Sequence, residues 1–467
     1  MNQTTDVLDL AQATAAAAQA RWLDWLRIPS VSAQPAHAGD CRTAATWARD
    51  RLAELGFTAE LRETPGHPVV VAHHPGPDSG AGLQPRLLYY GHYDVQPAEP
   101  LELWESPPFE PAVVDGPHGR RVVARGAVDD KGQVAMWLEA FRAWHATIGT
   151  LPLPITVVIE GEEEVGSKHL EAFLHTYAPD LTADIAVISD TGMWNIDTPA
   201  LCTSLRGLVY MQVDLHAAAR DLHSGMFGGS ALNPINALTK ALGQLHGPDG
   251  RVQLDGFYDG VTDVPVEQAA QWADLGFDEA AFLGNVGLKT PVGERGRGGL
   301  ERMWARPTAD INGIWGGYTG PGSKTVIAAE ASAKVSFRLV PGMDPDRVAA
   351  SFEAFVRARV PADARLVFHD FGRSPGIRVA IDNRFVTAAR DVMGEEYGRP
   401  AVLIGGGGSI PVVEAFKRIL GLDTLLMGFG LQDDQIHSPN EKFEVACFRH
   451  GLRSHVRLLG RLSTDCI

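Results

Sequence analysis

The sequence contains few cysteines, and their spacing excludes two kinds of stabilised site. Only four occur in 467 residues, at Cys41, Cys202, Cys447 and Cys466, and no two of them form a C-x-x-C pair. A disulfide framework and a zinc site built from thiolates both require closely grouped cysteines. We therefore expect neither in this protein.

Long apolar runs and a basic leader segment are also missing. No apolar run reaches the ~20 residues that a membrane span requires. The first twenty residues carry Asp6 and Asp9 and no basic residue ahead of an apolar core, which is not the pattern of a signal peptide. We therefore predict a soluble, cytoplasmic protein that does not enter a membrane.

Positive charge is scarce as well. Lys and Arg total 41 against 57 Asp and Glu, which gives a formal net charge of −16. Phosphate backbones and anionic membranes are bound by positive surfaces, so we expect no nucleic-acid partner. Hydrophobic residues make up 45% of the chain, which is enough for buried cores and argues against disorder.

The pattern of apolar residues divides the chain into three parts. At ~150 residues per domain, the length alone favours about three domains. Strand-length apolar runs alternate with helical stretches in the first and last parts, after an opening helix predicted over residues 6–26. This alternation predicts an α/β fold with a mostly parallel sheet covered by helices. The middle part has half-exposed strands at 208–215 and 335–340 and a Gly- and Arg-rich stretch at 293–322 that we predict to be loop.

The middle part therefore reads as a separate α+β domain inserted into the α/β domain. The predicted boundaries follow residues 207 and 374. The α/β domain then consists of residues 1–207 and 375–467, with the insert at 208–374.

Polar residues of chemical interest follow directly after five of the strand-length apolar runs. These runs are 87–90, 122–124, 155–159, 185–188 and 424–427. Open α/β sheets bind ligands at the carboxyl ends of their strands, so five segments are expected to converge on one crevice. The residues concerned are His92, Asp94, Asp129, Glu163, Glu164, Asp190 and His437.

Two histidines and several carboxylates without a thiolate suit zinc, manganese or cobalt. His92 and Asp94 are two residues apart, so extended backbone places them on one side, where Asp94 can fix the tautomer of His92. Glu163 and Glu164 are adjacent, so on extended backbone they point in different directions. One of them can bind a metal while the other acts as general base.

Each of these residues also has a simpler structural explanation. His92 alone suits a hydrogen-bonded histidine at a strand end, and the run 162–164 alone suits a solvated turn. Asp129 and Asp130 alone suit a loop or a helix cap. The metal-site hypothesis therefore depends on their joint placement at strand ends.

Six motifs together resemble those of the M20 metallopeptidases, most closely the branch of cytosolic nonspecific dipeptidase and carnosinase. The motifs are GHYDV at 91–95, GAVDDKG at 126–132, EGEEEVGS at 160–167, SD at 189–190, DLHSG at 221–225 and HS at 437–438. The resemblance covers nearly the whole chain in the family's order. It implies a zinc-peptidase-like catalytic domain with an inserted lid and dimerisation domain.

Carried across motif by motif, the resemblance implies two divalent metal ions in each subunit. We expect zinc, although manganese and cobalt accept the same ligands. In this interpretation Asp129 bridges both ions, His92 and Asp190 complete one coordination shell, and Glu164 and His437 complete the other.

The same resemblance implies catalytic roles for three further residues. Asp94 orients His92, and Glu163 is the general base, then acid, for a metal-bridging hydroxide that attacks the amide carbonyl. His223 reaches the active site of the partner subunit in a homodimer and stabilises the oxyanion. A strand-end histidine near a turn is the simpler explanation of His223.

Four residues resemble the positions at which the family holds its substrate. Thr325 and Arg338 match positions that bind the substrate carboxylate, where a guanidinium can act bidentately. Ser409, in Gly-Gly-Ser-Ile-Pro, and His369 match further substrate contacts.

Two positions indicate opposite substrate classes. In this family an aspartate at the position of Asp190 resembles the dipeptidases, and a glutamate resembles the carboxypeptidases and deacylases. The dipeptidases usually have Arg-Glu-Gly-Gly-Ser-Ile-Pro, however, where this chain has four glycines at 405–408 before Ser409. We therefore expect a di-metal dipeptidase, with an N-acyl-amino-acid amidohydrolase as the alternative.

A third hypothesis is a catalytically inactive metal-binding or scaffold protein. The sequence argues against it, because the predicted base, both histidines and all three ligand carboxylates are present.

Overall fold

The computed structural model of the chain describes residues 3–77, 84–408 and 410–464. The chain forms two compact units. The first consists of residues 1–203, 379–404 and 411–467, and the second of residues 204–378 and 405–410. The domain boundaries after residues 207 and 374 stay a prediction.

The helices in the described residues are α1 (Gln3–Ala13), α2 (Ala15–Leu26), α3 (Ala38–Ala53), α4 (Lys131–Ile148), α5 (Leu170–Tyr177), α6 (Ser224–Phe227), α7 (Pro234–Leu242), α8 (Val266–Asp274), α9 (Glu279–Gly284), α10 (Gly299–Trp304), α11 (Pro345–Arg357), α12 (Arg384–Tyr397), α13 (Pro411–Ala415) and α14 (Val445–Thr464). Short 3₁₀ turns lie at Pro35–His37, Leu101–Leu103, Glu163–Val165 and Ala178–Leu181, and a π-helical turn lies at Phe416–Leu420.

The strands are β1 (Thr58–Arg62), β2 (Val69–His74), β3 (Leu87–His92), β4 (Ala112–Gly116), β5 (Gly119–Val123), β6 (Ile155–Glu160), β7 (Ile185–Ile188), β8 (Ala200–Leu205), β9 (Gly207–His216), β10 (Leu222–His223), β11 (Thr308–Gly316), β12 (Val326–Ile327), β13 (Glu330–Leu339), β14 (Arg365–Ser374), β15 (Ile377–Arg378), β16 (Val402–Gly406), β17 (Thr424–Leu426) and β18 (Lys442–Glu444).

A central sheet organises the first unit, with strands in the order β1-β2-β6-β3-β7-β17-β8. The pairs β3·β6, β3·β7 and β7·β17 are parallel, whereas β1·β2, β2·β6 and β17·β8 are antiparallel. Every residue of β3, β6 and β7 is buried, as expected for strands covered by helices on both faces. The predicted α/β fold is confirmed, and its parallel pairing is concentrated in the four central strands.

The helix α4 forms the centre of the first unit's core. Most of its residues are buried, including Trp137 and Phe141, and α1, α2 and α14 pack against it. Its first turn lies close to the preceding loop, because a Cβ atom on Gly132 would come within 1.9 Å of the Ala127 carbonyl oxygen. The final glycine of the GAVDDKG motif is therefore required by this close approach.

The opening helix differs from its prediction. The predicted helix over 6–26 is two helices, α1 and α2, which meet at Thr14. The Thr14 hydroxyl donates a hydrogen bond to the Leu10 carbonyl oxygen at 2.9 Å. The backbone N–H of Thr14 donates to the same oxygen at 2.9 Å, and that of Ala18 donates to the Thr14 carbonyl oxygen at 3.0 Å, so helical hydrogen bonding continues across the junction.

The second unit is built on an antiparallel sheet in the order β11-β13-β9-β14. Alternate residues of β9 are buried, and α7 and α11 pack on the sheet. Asn233 caps the N-terminus of α7, and Asp344 caps that of α11, each through its side-chain oxygen. The predicted α+β character of this part agrees with these elements.

One predicted loop of the second unit was wrong. The stretch 293–322 contains the helix α10 and the nine-residue strand β11, which pairs with β13 along its whole length. A register shift between Ile311 and Gly313 interrupts the alternation of side chains along β11. The two-residue periodicity that would reveal a strand in the sequence is therefore absent.

No helix in the described ranges is both long enough and apolar enough to cross a membrane. The cytoplasmic location remains a prediction from the sequence.

Candidate metal centre

Three neighbouring parallel strands bring the candidate residues of the first unit together. His92 is the last residue of β3, Asp190 follows β7, and the 3₁₀ turn Glu163–Val165 follows β6. Because β6, β3 and β7 are adjacent and parallel, their carboxyl ends meet at the same edge of the sheet. The expected convergence at strand ends is therefore found for these three segments, whereas the run 122–124 that precedes Asp129 lies at the end of β5, in a separate antiparallel sheet, β18-β5-β4.

Two groups of potential ligands result, and they share one residue. His92, Asp129 and Asp190 form the first group, and Asp129, Glu164 and His437 form the second. Within each group, the potential ligand atoms lie within 4.8 Å of one another. The five residues are those that the sequence predicts as metal ligands.

Asp129 lies between the two histidines. Its Oδ1 atom is 3.2 Å from Nε2 of His92, and its Oδ2 atom is 3.0 Å from Nε2 of His437. Nε2 of His437 also lies 3.1 Å from Oε2 of Glu164, and Nε2 of His92 lies 3.9 Å from Oδ2 of Asp190. The two carboxylate oxygens of Asp129 thus face different ligand groups.

The buried Asp94 connects His92 to the turn that carries the two glutamates. Nδ1 of His92 lies 3.0 Å from the Asp94 carbonyl oxygen and 3.4 Å from its Oδ1 atom. The same carboxylate accepts the backbone N–H groups of Glu163 and Glu164 at 3.3 and 3.1 Å. Asp94 therefore holds the proton of His92 on Nδ1 and leaves Nε2 free to act as a ligand.

Burial and mutual repulsion shift three of the site's carboxyl groups towards their protonated forms, whereas hydrogen bonds from His437 and His92 lower the pKa of Asp129 despite its burial. Desolvation, followed by the charge of Asp129, raises the pKa of Asp190 to about 7. Desolvation also raises the pKa of Glu163 well above its ordinary value, and it raises the pKa of Glu164. Several carboxylates close together in a dry site are a costly arrangement unless a cation accompanies them.

His437 has the opposite electrostatic environment. Hydrogen bonds to Asp129 and then to Glu164 raise its pKa to about 10. Its backbone has a φ of 60°, in the left-handed region that a histidine rarely adopts. The loop therefore holds this residue in an unusual conformation that points its ring at the two carboxylates.

The arrangement fits divalent metal ions. Nε2 of His92 is buried and, among the described residues, makes no hydrogen bond of acceptable geometry, although Asp129 is close. An unpaired buried nitrogen next to desolvated carboxylates is the pattern expected of residues that share a cation. The donors are imidazole nitrogens and carboxylate oxygens, which suit zinc, manganese and cobalt.

Two residues near the ligands were missed by the sequence analysis. Gln96 donates from Nε2 to Oε2 of Glu164 at 2.7 Å, and Asp130 accepts the backbone N–H of His92 at 3.1 Å. A Cβ atom on Gly91 would meet Asp130 Oδ2 at 2.7 Å, so the glycine permits this approach. Gln96 lies two residues after Asp94, and this same-side spacing was the one available signal.

Two candidates of the second unit are neighbours there. His223 ends β10 and pairs with Val326 of β12, and the backbone N–H of Ser224 donates to the Thr325 carbonyl oxygen. Nδ1 of His223 accepts the backbone N–H of Gly225 at 3.0 Å. The accepting Nδ1 leaves the proton on Nε2, so the ring presents a donor on its exposed side.

The remaining candidates lie on the second unit's sheet or outside the described residues. Arg338 lies on β13. Burial lowers the pKa of its guanidinium, and the charge of Asp310 opposes this by a smaller amount. His369 lies on β14 with Nε2 2.7 Å from Oδ2 of Asp214. Ser409 lies outside the described residues.

Comparison with known proteins extends over nearly the whole chain. The family model of peptidase family M20/M25/M40 matches residues 88–461. The Cys-Gly metallodipeptidase DUG1 of Saccharomyces cerevisiae is 30% identical over 416 residues, which cover 86% of this chain and 84% of the relative. The human beta-Ala-His dipeptidase is 30% identical over 438 residues, which cover 90% of this chain and 85% of the relative.

A solved structure has a similar fold. The dipeptidase Dug1p from Saccharomyces cerevisiae superposes with a TM-score of 0.84 at 27% identity, and the match covers 100% of both chains.

Proposed function

Because this chain belongs to peptidase family M20/M25/M40 and is a peptide hydrolase, we propose that it cleaves dipeptides with two divalent metal ions held by its first unit. The predicted family is confirmed by the family match and by the relatives. Zinc is the metal that we propose, and manganese or cobalt would accept the same ligands.

The arrangement around Asp129 carries the proposal of two ions. This carboxylate presents one oxygen to His92 and the other to His437, at 3.2 and 3.0 Å. A bridging carboxylate requires this division, because each of its oxygens must face a different ion. Asp190 would complete the site of His92, and Glu164 would complete the site of His437.

Divalent ions bound in such a site supply Lewis acidity, which lowers the pKa of water and polarises the amide carbonyl. The chain's own residues then have to orient the ligands and move protons. Asp94 fixes the tautomer of His92 and, through the N–H groups of Glu163 and Glu164, fixes the turn that presents both carboxylates. The buried carboxylate of Asp94 thereby orients residues of both sets of metal ligands.

Glu163 is the residue that we propose as general base and then general acid. Desolvation raises the pKa of its carboxyl well above the usual range, which improves its match to proton transfer at neutral pH. It would take a proton from the attacking water and deliver that proton to the leaving amine. Glu164, its neighbour, is engaged by Gln96 and His437 instead.

Residues of the second unit are proposed to bind the substrate and its transition state. His223 would donate from Nε2 to the oxyanion in the active site of a partner subunit, within a homodimer. Arg338 and Thr325 would hold the substrate carboxylate. Ser409 and His369 are proposed as further substrate contacts. These assignments are supported by the family's motifs, which recur here in order.

Dipeptides are the substrate class that the relatives support. The names of two relatives give Cys-Gly and beta-Ala-His as their substrates, and Asp190 has the identity typical of dipeptidases. The alternative of an N-acyl-amino-acid amidohydrolase is not favoured by these relatives. The glycines at 405–408 therefore require a different explanation from a change of reaction.

An assay on mixed dipeptides tests the proposal. We expect the purified protein to hydrolyse dipeptides such as Cys-Gly or beta-Ala-His, and to act far more slowly on their N-acetylated forms. Complete chelation is expected to abolish hydrolysis, and added zinc, manganese or cobalt is expected to restore it. Stoichiometry by elemental analysis is expected to give two ions per chain.

Activity that survives complete metal removal would contradict the proposal. So would a metal-loaded protein that leaves every dipeptide intact, or one that binds a single ion with full activity. Preferential cleavage of the N-acetylated forms would revive the amidohydrolase alternative.

A further inference from the structure

A buried glutamate outside the ligand set holds the loop that presents Asp129. The side chain of Glu441 is 0% exposed, and that of its partner Arg125 is 1% exposed. Oε2 of Glu441 accepts Nη1 of Arg125 at 2.8 Å and the backbone N–H of Gly126 at 3.0 Å. Oε1 accepts the backbone N–H groups of Val128 and Asp129 at 3.0 and 3.1 Å.

These bonds fix the backbone that leads into the bridging ligand. A carboxylate that accepts several N–H groups in a dry environment defines the position of each, since charge-assisted bonds are short and strong. The backbone N–H of Asp129 is itself one of the donors, so no flexible residue intervenes between Glu441 and the ligand. The loop cannot shift without leaving a buried charge without its partners.

Glu441 also belongs to the segment that presents the second histidine. It lies four residues after His437 and directly precedes β18, which pairs with β5. At the end of this ladder the backbone N–H of Ala124 donates to the Glu441 carbonyl oxygen at 3.1 Å. Backbone and side chain of one residue thus join the His437 segment to the Asp129 loop.

A second set of contacts, between Lys442 and Asp434, holds the other end of the His437 segment. Nζ of Lys442 lies 2.7 Å from Oδ1 of Asp434, and the backbone N–H of Lys442 donates to the Asp434 carbonyl oxygen at 3.0 Å. These two contacts join the ends of the span from Asp434 to Lys442, which contains His437. Any displacement of Glu441 would move both His437 and Asp129.

We propose that Glu441 is a positioning residue that sets the distance between Asp129 and His437 and thereby the affinity of the metal centre. The inference rests on the proposed two-metal function, but it concerns metal binding and not hydrolysis. Removing residues that orient metal ligands typically weakens metal affinity roughly 10- to 100-fold. Glu441 would act through Asp129 and His437 and would touch neither metal nor substrate.

The test is the zinc affinity of Glu441→Gln, measured by chelator competition on the full chain. We expect a loss of roughly 10- to 100-fold, because an amide replaces one acceptor oxygen by a donor that faces N–H groups. Cobalt added to the metal-free protein gives a second readout, since a moved ligand alters the visible absorption spectrum of bound cobalt.

Glu396→Gln is the matched control. The carboxylate of Glu396 is also buried, with its side chain 4% exposed, and within the described chain its hydrogen bonds all come from α14. The donors are His450, Arg453 and Arg457. We expect this variant to lose thermal stability while its zinc affinity and cobalt spectrum remain unchanged.

Glu441→Asp is the second variant, in case Glu441→Gln does not fold. It keeps the charge opposite Arg125 but is one methylene shorter, so it cannot reach all four donors at once. We expect a loss of zinc affinity in the same direction. Rescue to the unaltered affinity in folded Glu441→Asp, or an unchanged affinity in folded Glu441→Gln, would overturn the inference.

The design separates this inference from the proposed function. If the unaltered chain binds zinc but cleaves no dipeptide, the proposed function fails and the positioning role of Glu441 is still tested by affinity. If the unaltered chain binds none of zinc, manganese and cobalt, both are overturned.

Discussion

Most candidate residues of the first unit are more buried than those of the second, the exception being His437, whose side chain is 52% exposed. In the first unit the side chains of His92 and Asp94 are 0% exposed. In the second unit His223 is exposed, and the side chain of His369 is 47% exposed and faces Asp214. Buried charges must be compensated, whereas exposed ones are compensated by water.

The structure of the first unit is therefore sufficient by itself to suggest that it binds a cation. Desolvated carboxylates, an imidazole nitrogen without a well-aligned hydrogen bond and a shared aspartate form the pattern expected of residues that hold a cation. The second unit does not indicate a bound ion in this way, because its described candidate residues have local partners or face solvent. Their function depends on what approaches them, and here the family supplies the hypothesis.

Glu163→Gln is the sharpest test of the first unit and has the largest expected effect. We expect kcat to fall by roughly two to four orders of magnitude, because the variant cannot accept the proton. Metal content is expected to remain that of the unaltered protein, since Glu163 is not a predicted ligand. Both quantities are measured on the same preparation, by dipeptide hydrolysis and by elemental analysis.

Glu164→Gln is the matched control, because the two glutamates share one turn and both donate their N–H groups to Asp94. We expect this variant to lose metal as well as activity. A Glu163→Gln protein with normal kcat would refute the assignment of the base. If Glu163→Gln loses metal while Glu164→Gln retains it, Glu163 would be the metal ligand and Glu164 the general base.

His223→Ala tests the second unit, and we expect a smaller effect. Removing one donor to an oxyanion typically lowers kcat by roughly 10²- to 10³-fold. The metal content is expected to stay unchanged, because His223 is not among the ligands. His216→Ala is the control, since His216 lies in the same unit, at the end of β9, and pairs with Glu330.

Mixing two inactive variants distinguishes action within a subunit from action across the proposed dimer. In a hybrid of Glu163→Gln and His223→Ala, one of the two active sites would contain both an intact Glu163 and a partner's intact His223. Random exchange is then expected to restore about a quarter of the unaltered activity, since half of the dimers are hybrids. No recovery after demonstrated exchange would contradict the role in trans.

The contrast between the units also explains what the sequence predicted well. The positions of His92, Glu163 and Asp190 follow from strand ends, which local apolar runs reveal, so their convergence was predictable. The α/β fold followed from the same runs. The strand β11 was missed because its register shift removes the alternation.

Long-range contacts set the limit of such predictions. Glu441 belongs to no local sequence pattern that would identify its role. Its hydrogen-bond partner Gly126 lies 315 residues away in the sequence. The choice of Asp130 over Asp129 as the acceptor for the His92 N–H likewise depends on the packing of α4 against β3. Supporting contacts such as those of Glu441 and Asp130 are therefore found only when the chain is folded, whereas Asp94 follows a local signal, its two-residue spacing from His92.

Proton release on metal binding is the smallest of the expected effects, and it tests whether burial in the first unit has the consequence argued above. Below a pH of about 7 Asp190 holds a proton, and below about 10 His437 is cationic, in the absence of metal.

Zinc binds only the deprotonated forms, so binding must displace these protons and the affinity must rise with pH. Asp190 therefore releases a proton on binding at about pH 6 but is already ionised at about pH 8.5, whereas His437 is cationic at both pH values. Calorimetry in two buffers of different ionisation enthalpy is therefore expected to show more protons released per chain at the lower pH. An equal number at both pH values would mean that the carboxylates of this site are ionised without a cation, which would remove the electrostatic argument for the metal centre.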